Sequence, residues 1–380
     1  MRRLEPCSLD EIPENVKFIE RTDFSHPLLE RISERFFQGE TKNSKFFFLE
    51  KELDLLEKFA WFLDGTFSLI RNSIHGQIYI ISILLSENDK TYAYPVVFIF
   101  MEKRETIFYK EIFEFINQKF KETFDRELKP ISFHLDCEMA CIKAIKHCYT
   151  EPTIRLCIFH ILKNWRKKFE ECVGKTNFSG NKHFQNCWTI LRGIFFMPIT
   201  AIPLIANYFL NTVTPALKNK ILEQKFSNFV KKYLMKNYFS NSALFNPNFW
   251  SYYYDINILA KFDTTTNTSE TINKRLKVLT GTGFLPFKRA CQKLHTFKIN
   301  YLVDYETKVR NDNLNSRRRR TINRENVLLG LVHKYHNFNF MEQSDLNTNV
   351  NHCFQLGSVN PESQLVQAPE FFEPSEAISV

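Results

Sequence analysis

Short apolar runs separated by polar breaks mark the chain from residue 59 onward. Three of these runs, FAWFLDGTFSLI, GQIYIISILLS and YAYPVVFIFM, are rich in β-branched and aromatic residues. The breaks between them have the polarity typical of hairpin connections. The pattern therefore predicts three consecutive strands.

The pattern then changes to alternating helices and strands. Residues 106–124 place apolar side chains at helical spacing, and residues 129–138 predict a strand that Pro130 opens. MACIKAIKHCY predicts a short helix, TIRLCIFHI a fifth strand, and LKNWRKKFEECV a basic amphipathic helix. This order predicts an α/β layer fold whose sheet has an antiparallel half, followed by a half joined through helical crossovers.

The regions that flank this pattern lack strand signatures. LLERISERFF and LEKELDLLEKF, in the first part of the chain, space their apolar residues about 3.6 apart, which predicts helices there. The last forty residues have the polar composition of a disordered tail. The predicted segments are a mostly helical lead-in (1–58), the strand-bearing region (59–175), a helical insertion (176–262), a further helix (263–282), a basic helical region (283–337) and the tail (338–380).

The most apolar segment, GIFFMPITAIPLIANYFL at residues 193–210, approaches the length of a membrane-spanning helix. Pro198, Pro203 and Asn207 interrupt it, so we expect the end of one buried helix, a turn and the start of another. The first residues also lack the apolar stretch of a secretory signal. A membrane is therefore not among the expected partners.

Composition and charge narrow the class of partner. The chain has 380 residues, of which 44% are hydrophobic, so it can bury a substantial core. Its net charge of +9 and pI of about 9.0 favour a polyanionic partner such as nucleic acid, although an anionic membrane surface would also fit. The nine cysteines are an odd number scattered through apolar segments, which favours a reducing compartment.

Two aspartates occur in strands that are otherwise apolar. Asp64 lies within the first predicted strand, and Asp136 ends the fourth. Each alone could be a turn or cap residue. Burying an unpaired carboxylate is costly, however, and two facing carboxylates repel unless divalent cations neutralise them. If the first and fourth strands are neighbours, the pair predicts a cation site of the kind that phosphoryl transfer uses.

A third acid, Glu270, lies in TTTNTSETINKRLK at the start of a predicted helix. Asn267 followed by Glu270 is close to a capping box, in which each side chain satisfies a free amide at the helix start. The alternative is that Glu270 completes the carboxylate cluster. Its position in the sequence is compatible with both roles.

The chain resembles the transposases of Mutator-like elements in five segments that occur in the family's order. These segments are FLDGTFS, HLDCEMACIKAIK, LCIFHILKNWRKK, FFMPITAIPLIANYF and TTNTSETINKRLK, within residues 59–282. The resemblance implies a ribonuclease-H-like fold, a mixed sheet flanked by helices and interrupted by an all-helical insertion. It also implies a metal-binding triad of Asp64, Asp136 and Glu270, two Mg²⁺ or Mn²⁺ ions, and a role for His160 beside the scissile phosphate.

Members of that family usually carry an N-terminal zinc-bound module that binds DNA. Residues 1–55 contain Cys7 as their only cysteine, so they cannot form such a module. Cys157 and His160 have half the spacing of a zinc finger, and His183 with Cys187 could complete it. Core packing of Cys157 is favoured over a structural zinc ion, because 22 residues separate the two halves.

Basic clusters follow the predicted strands and suggest phosphate contacts, although each cluster could be an ordinary solvated face. SRRRR, at 316–320, is equally consistent with a nuclear localisation signal. The expected DNA-binding residues are Lys163, Arg166, Lys167, Lys168, Lys274, Arg275, Lys277, Arg317, Arg318, Arg319 and Arg320.

The resemblance predicts a nuclear DNA transposase that cleaves transposon ends and joins them to target DNA. Its partners would be both DNAs, with a homo-oligomer left open. One alternative is a domesticated DNA-binding protein without catalysis. Another is a nuclease relative that acts on RNA or RNA–DNA hybrids. Cleavage of DNA that depends on a divalent metal would distinguish the transposase from the non-catalytic DNA-binding protein.

Overall fold

The computed structural model of the chain describes residues 12–22, 31–67, 70, 77–87, 90–253, 267–281, 285–310 and 315–316, with positions 327, 351, 355, 356 and 358. Within these segments the side chains of some residues, mostly at the ends of the segments and with Glu270 among them, lie outside the description. The chain divides into two compact units. The first takes its described residues from 1–157 and 261–317, and the second contains 158–253.

The first unit is built on a mixed β-sheet. Its strands are β1 (Phe18–Thr22), β2 (Arg31–Arg35), β3 (Phe37–Glu40), β4 (Ser44–Phe47), β5 (Trp61–Phe67), β6 (Gln77–Glu87), β7 (Lys90–Met101), β8 (Phe133–Leu135), β9 (Ile154–Leu156) and β10 (Asn315–Ser316). β1 and β2 form a separate antiparallel pair, and the main sheet has the order β3-β4-β7-β6-β5-β8-β9, with β10 on β7. β5 to β7 are antiparallel neighbours, whereas β5, β8 and β9 are parallel. The predicted α/β class and the two halves of the sheet are confirmed.

The helices of this unit cover the sheet and connect its parallel strands. They are α1 (Asp54–Lys58), α2 (Thr106–Phe124), α3 (Met139–Cys148), and two that follow the second unit in the chain, α10 (Asn267–Thr280) and α11 (Phe287–Arg310). Helix α2 buries Tyr109, Ile112, Phe113 and Ile116 at helical spacing. The helices predicted for 106–124, for MACIKAIKHCY and for the segment around Glu270 are confirmed.

The prediction that residues 1–58 are mostly helical is wrong for the part that the structure describes. LLERISERFF supplies β2 instead of a helix, and β4 pairs antiparallel with β7. Phe36, Phe46 and Phe47 are fully buried, because this segment extends the sheet along the edge of β7. LEKELDLLEKF is helical, as a 3₁₀ turn at Glu50–Leu53 followed by α1, and a short 3₁₀ turn also lies at Glu14–Val16.

The predicted fourth and fifth strands are shorter than the sequence suggests. β8 is limited to Phe133–Leu135, and β9 ends at Leu156. The Cys157 amide donates to the Leu135 carbonyl at 2.8 Å, after which the chain turns into a helix at Ile158. Residues 158, 161, 162 and 165 are buried, so the apolar end of TIRLCIFHI belongs to a helical stripe.

The second unit is helical in its described part. Its helices are α4 (Ile158–Val173), α5 (Lys175–Gly180), α6 (Lys182–Gly193), α7 (Ile202–Tyr208), α8 (Thr214–Ala216) and α9 (Lys220–Asn228), with π-helical segments at Phe209–Val213 and Phe229–Phe239. Trp165 and Trp250 are fully buried and pack edge to face at 5.8 Å. The predicted boundary between the strand-bearing region and the helical insertion, at 175/176, falls at the start of α5, inside this unit.

The apolar segment at 193–210 has the predicted break. α6 ends at Gly193, short 3₁₀ turns follow on both sides of Pro198, and α7 starts at Ile202. Among the described helices, none combines the length and the apolar character needed to cross a membrane.

Helix α11 confirms a helix in the predicted basic region, and a buried lysine attaches it to the sheet. Lys298 is fully buried, forms an ion pair with Glu52, and donates to the Tyr94 hydroxyl at 3.2 Å and the Pro95 carbonyl at 3.0 Å. The predicted tail at 338–380, except for four single positions, and the arginines at 317–320 lie outside the described residues.

Candidate active site

The pairing of β5 with β8 brings the two predicted aspartates to the same level of the sheet. Trp61 pairs with Phe133 and Phe62 with His134 in parallel register. Extending this register by two residues aligns Asp64 with Asp136, which directly follows β8. Ligands in sheets of this kind gather at the carboxyl ends of parallel strands. The expectation that the first and fourth predicted strands, now β5 and β8, are neighbours is confirmed.

The two aspartates also belong to the same face of the sheet by the alternation of side chains along a strand. Phe62 and His134, each two residues earlier, stack with ring centroids 4.8 Å apart. Because their side chains meet on one face, the positions of Asp64 and Asp136 follow on that face. This arrangement places two carboxylate-bearing positions side by side.

Helix α10 contacts Asp64 directly through Asn273. The Asn273 Nδ2 donates to Asp64 Oδ2 at 2.6 Å, and Thr66 Oγ1 donates to Asn273 Oδ1 at 2.6 Å. Asp64 and Thr66 are two residues apart on β5 and therefore share a face. Asn273 thus bridges two side chains of the strand that carries the first acid. Neither Asn273 nor Thr66 was singled out from the sequence.

An apolar stripe docks α10 on the sheet. Ile272 and Leu276 are fully buried, and the helix packs against β5, β6 and β7. Glu270 lies in α10 three residues before Asn273, so the two positions share one face of the helix. The Glu270 side chain lies outside the described residues, and its assignment to the triad or to a cap stays a prediction. The structure does bring its helix onto the strand of Asp64.

Glu138 is an acid of this region that sequence reasoning missed. It precedes α3 and is half-buried, and its backbone amide donates to the Asp136 carbonyl at 2.8 Å. Burial, and then the charge of Asp136, raise the pKa of Glu138 to about 7, against smaller lowering effects of Tyr109 and Arg104. Its position two residues after Asp136 was the available signal. Burial, with the charge of Asp136 as the second cause, therefore disfavours the ionised form of Glu138.

His134, which lies on β8 two residues before Asp136, is held in its neutral form. Burial, and then the nearby Arg155, lower the pKa of His134 to about 3. Its Nε2 lies 3.2 Å from the Ser132 hydroxyl. A neutral imidazole under the acids adds no positive charge that could offset their repulsion.

The residues present fit divalent cations of the magnesium type. Carboxylate oxygens are the ligands such ions prefer, and one or two carboxylates suffice together with water and phosphate oxygens. Across the described residues, no group of three or more His, Cys, Asp or Glu side chains could hold a metal ion. The Glu270 side chain is not among those residues. The two described aspartates therefore account for part of the predicted donor set, and metal binding stays a prediction.

Of the four residues of the alternative zinc site, the two cysteines are in the core and the two histidines are not. Cys157 and Cys187 are buried, and burial raises the pKa of the Cys187 thiol. His183 is exposed at the start of α6. His160 lies in the first turn of α4, half-buried, with its ring edge-on to Phe159. Its predicted role beside a phosphate is untested.

The predicted DNA-binding residues differ in how they are engaged. Arg166 forms an ion pair with Glu170, Lys168 with Glu171, and Arg275 with Asp304. Four exposed lysines make no ion pair within the part of the chain that the structure describes: Lys163 and Lys167 on α4, and Lys274 and Lys277 on α10. Each of these pairs is spaced to share a helix face.

Comparison with known proteins identifies the region that contains both aspartates. Residues 60–164 match the family model of the MULE transposase domain, which confirms the resemblance to Mutator-like element transposases. The match includes Asp64, Asp136 and His160, and it ends before α10. No curated protein matches the chain.

Proposed function

We propose that this chain, which carries a MULE transposase domain at residues 60–164, is a DNA transposase with a metal-dependent active site. One observation carries the proposal: β5 and β8 are parallel neighbours in a register that aligns Asp64 with Asp136. Two aspartates at this position are costly to keep unless they serve a cation. The contact between Asn273 and Asp64 adds support, because it attaches the helix that carries Glu270 to the same strand.

The order of the sheet supports a ribonuclease-H-like fold. Three antiparallel strands, β7, β6 and β5, continue into the parallel strands β8 and β9. Helices connect the parallel strands, and the helical second unit follows β9 in the chain before α10 returns to the sheet. This sequence of elements is the one expected for the fold with a helical insertion.

In the proposed site Asp64, Asp136 and Glu270 would hold two Mg²⁺ or Mn²⁺ ions. When bound, such ions supply positive charge that favours the attacking oxygen and stabilises the leaving oxygen of a phosphodiester. Burial, and then the charge of Asp136, raise the pKa of Glu138 to about 7, so this neighbouring acid is partly protonated near neutral pH.

The proposed reaction has two in-line displacements at phosphorus. In the first, the oxygen of water attacks a phosphodiester at the element end, and the bond to the 3′-oxygen breaks, leaving a 3′-hydroxyl and a 5′-phosphate. In the second, that 3′-hydroxyl attacks a phosphodiester of the target and displaces its 3′-oxygen. His160 is proposed to orient DNA or to accept or deliver a proton in these steps.

The proposed partners are the transposon ends and the target DNA, with the nucleus as the site of action. Exposed lysines on α4 and α10 supply positive charge for phosphate contacts, which give affinity without reading sequence. The arginines at 317–320 are proposed to make further phosphate contacts or to direct nuclear import.

The test is nicking of supercoiled plasmid by the purified chain with Mg²⁺ or Mn²⁺, against EDTA. We expect nicking only with metal. Asp64→Asn, Asp136→Asn and Glu270→Gln should each reduce it at least about 100-fold, because a catalytic metal contributes several kcal/mol. The exposed Glu114 on α2 offers a matched control as Glu114→Gln, which should nick like the parent.

Two outcomes would reject the proposal in different ways. Nicking by the aspartate variants at the parental rate would show that the acids are wrongly assigned. Tight DNA binding without nicking under any metal condition would support the non-catalytic, domesticated protein. Glu270→Gln separates cap from catalyst, since glutamine can still cap the helix and the melting temperature should not change.

A further inference from the structure

We propose that Asn273 is a positioning residue that orients the Asp64 carboxylate for cation binding, and that Thr66 fixes the Asn273 side chain. This inference rests on the proposed function and adds two residues to the proposed site. It is based on the hydrogen bonds from Thr66 to Asn273 and from Asn273 to Asp64, both 2.6 Å long.

The chemistry of the three groups determines the direction of this hydrogen-bond chain. An ionised carboxylate only accepts, so the Asn273 group that faces Asp64 must be the NH₂. The amide oxygen then faces Thr66, whose hydroxyl must donate. Thr66 therefore selects one of the two amide orientations, the one that presents a donor to Asp64. Thr66 is almost fully buried, so water competes little for its hydroxyl.

Docking of α10 does not require a polar residue at position 273. Ile272 and Leu276 already supply the buried apolar contacts of this helix. An asparagine amide at a half-buried position costs free energy unless both of its ends are paired. Both ends of Asn273 are paired, one with Thr66 and the other with the acid Asp64 itself, and both partners lie on β5. The arrangement therefore serves the carboxylate more than the packing.

Two consequences follow for the site. Engaging Oδ2 of Asp64 restricts rotation of the carboxylate and partly offsets its charge against Asp136. The same bond sets the distance between β5 and the turn of α10 that precedes Asn273, where Glu270 lies. Groups that orient metal ligands in this way typically change metal affinity by about 10–100-fold when they are removed.

The test compares Thr66→Val, Thr66→Ser and Asn273→Ala with the parent by Mn²⁺ binding in the absence of DNA, followed by electron paramagnetic resonance. Valine keeps the shape of threonine and suits a strand, but it cannot donate to Asn273. We expect Mn²⁺ affinity to fall about 10-fold in Thr66→Val and up to about 100-fold in Asn273→Ala. Thr66→Ser should restore it to within about threefold of the parent. Thr123→Val, on the exposed surface of α2, controls for the substitution itself.

Melting of the metal-free proteins in EDTA supplies a second measurement. A merely structural role predicts lower melting temperatures with unchanged Mn²⁺ affinity in the folded variants, and that result would overturn the inference. Equal affinities for Thr66→Val and Thr66→Ser would overturn it as well. If Asn273→Ala does not fold, the Thr66 pair still decides.

The inference and the proposed function fail separately. A parent that nicks DNA while Thr66→Val keeps parental Mn²⁺ affinity would contradict the positioning role and leave the transposase proposal intact. A parent that binds Mn²⁺ through a Thr66-dependent site but never nicks DNA would support positioning and contradict catalysis. A parent that binds no Mn²⁺ would overturn both.

Discussion

Replacing Lys298 with methionine should loosen the attachment of α11 to the sheet. The Lys298 ammonium is fully buried between α11 and β7, where it meets the Glu52 carboxylate, the Tyr94 hydroxyl and the Pro95 carbonyl. Tyr94 in turn donates to Glu52 at 2.5 Å. Methionine keeps most of the volume of lysine but removes all three polar contacts. Glu52 and Tyr94 would then remain buried without their shared cation.

The magnitude follows from the burial of the partners. The Glu52 side chain is 12% exposed and that of Lys298 is 0% exposed, so the pair belongs to the buried class. Removing one member of such a pair costs about 3–5 kcal/mol, because the remaining charge is left uncompensated. For a unit of roughly 200 residues this lowers the melting temperature by about 6–20 °C.

The measurement is urea unfolding of the parent, Lys298→Met, Glu52→Gln and the double variant. Because glutamine removes the orphaned charge, the double variant should lose less stability than the sum of the single losses. Lys288→Met, an exposed substitution on the same helix, should change the free energy of unfolding by less than about 0.5 kcal/mol. A loss below about 1 kcal/mol in Lys298→Met, or strictly additive losses, would refute the reasoning.

Three further outcomes follow from the charges of the molecule. The pKa of His134 is lowered to about 3, so on acidification the unfolded chain takes up a proton at this histidine before the folded chain does. Stability that is present above pH 6.5 should therefore be lost as the pH falls, by about 2 kcal/mol at pH 5 in urea unfolding. Proton NMR should show no titration of His134 above about pH 4. The pKa of Glu138 is raised to about 7, so its contribution to the free energy of unfolding is present below pH 4.5 and lost as pH rises through 7. Glu138→Gln should therefore stabilise the metal-free protein at pH 8 by about 1–2 kcal/mol, after allowance for solvent screening. Equal stabilities of variant and parent at pH 8 would contradict the shift. The affinity for duplex DNA should fall steeply with salt concentration. Replacing Lys163 and Lys167 with glutamine should reduce the slope of log affinity against log salt concentration by about 2, and neutralising residues 317–320 should reduce it further. An unchanged slope would exclude these residues from the interface.

The order of strands and helices from residue 59 onward could be predicted because it depends on local patterns. β-branched and aromatic runs form β5, β6 and β7, and periodic apolar residues form α2, whatever their surroundings. The positions of Asp64 and Asp136 in apolar strands were informative for the same reason. Local patterns did not determine where β9 ends, because the apolar run that follows it suits a strand and a helix equally well. In the structure this run continues as α4.

The sequence by itself determined which residues form the central strands, where the two aspartates lie along them, and that a helix carries Glu270. Only the tertiary structure decided that β4 pairs with β7, that Asn273 bonds to Asp64 across 209 positions, and that Glu138 is buried enough for its pKa to rise. The physical reason is that pairing at a sheet edge, helix docking and pKa shifts depend on which groups folding brings together. Local spacing determines the elements, whereas the chemistry of the candidate site arises from contacts between elements distant in the chain.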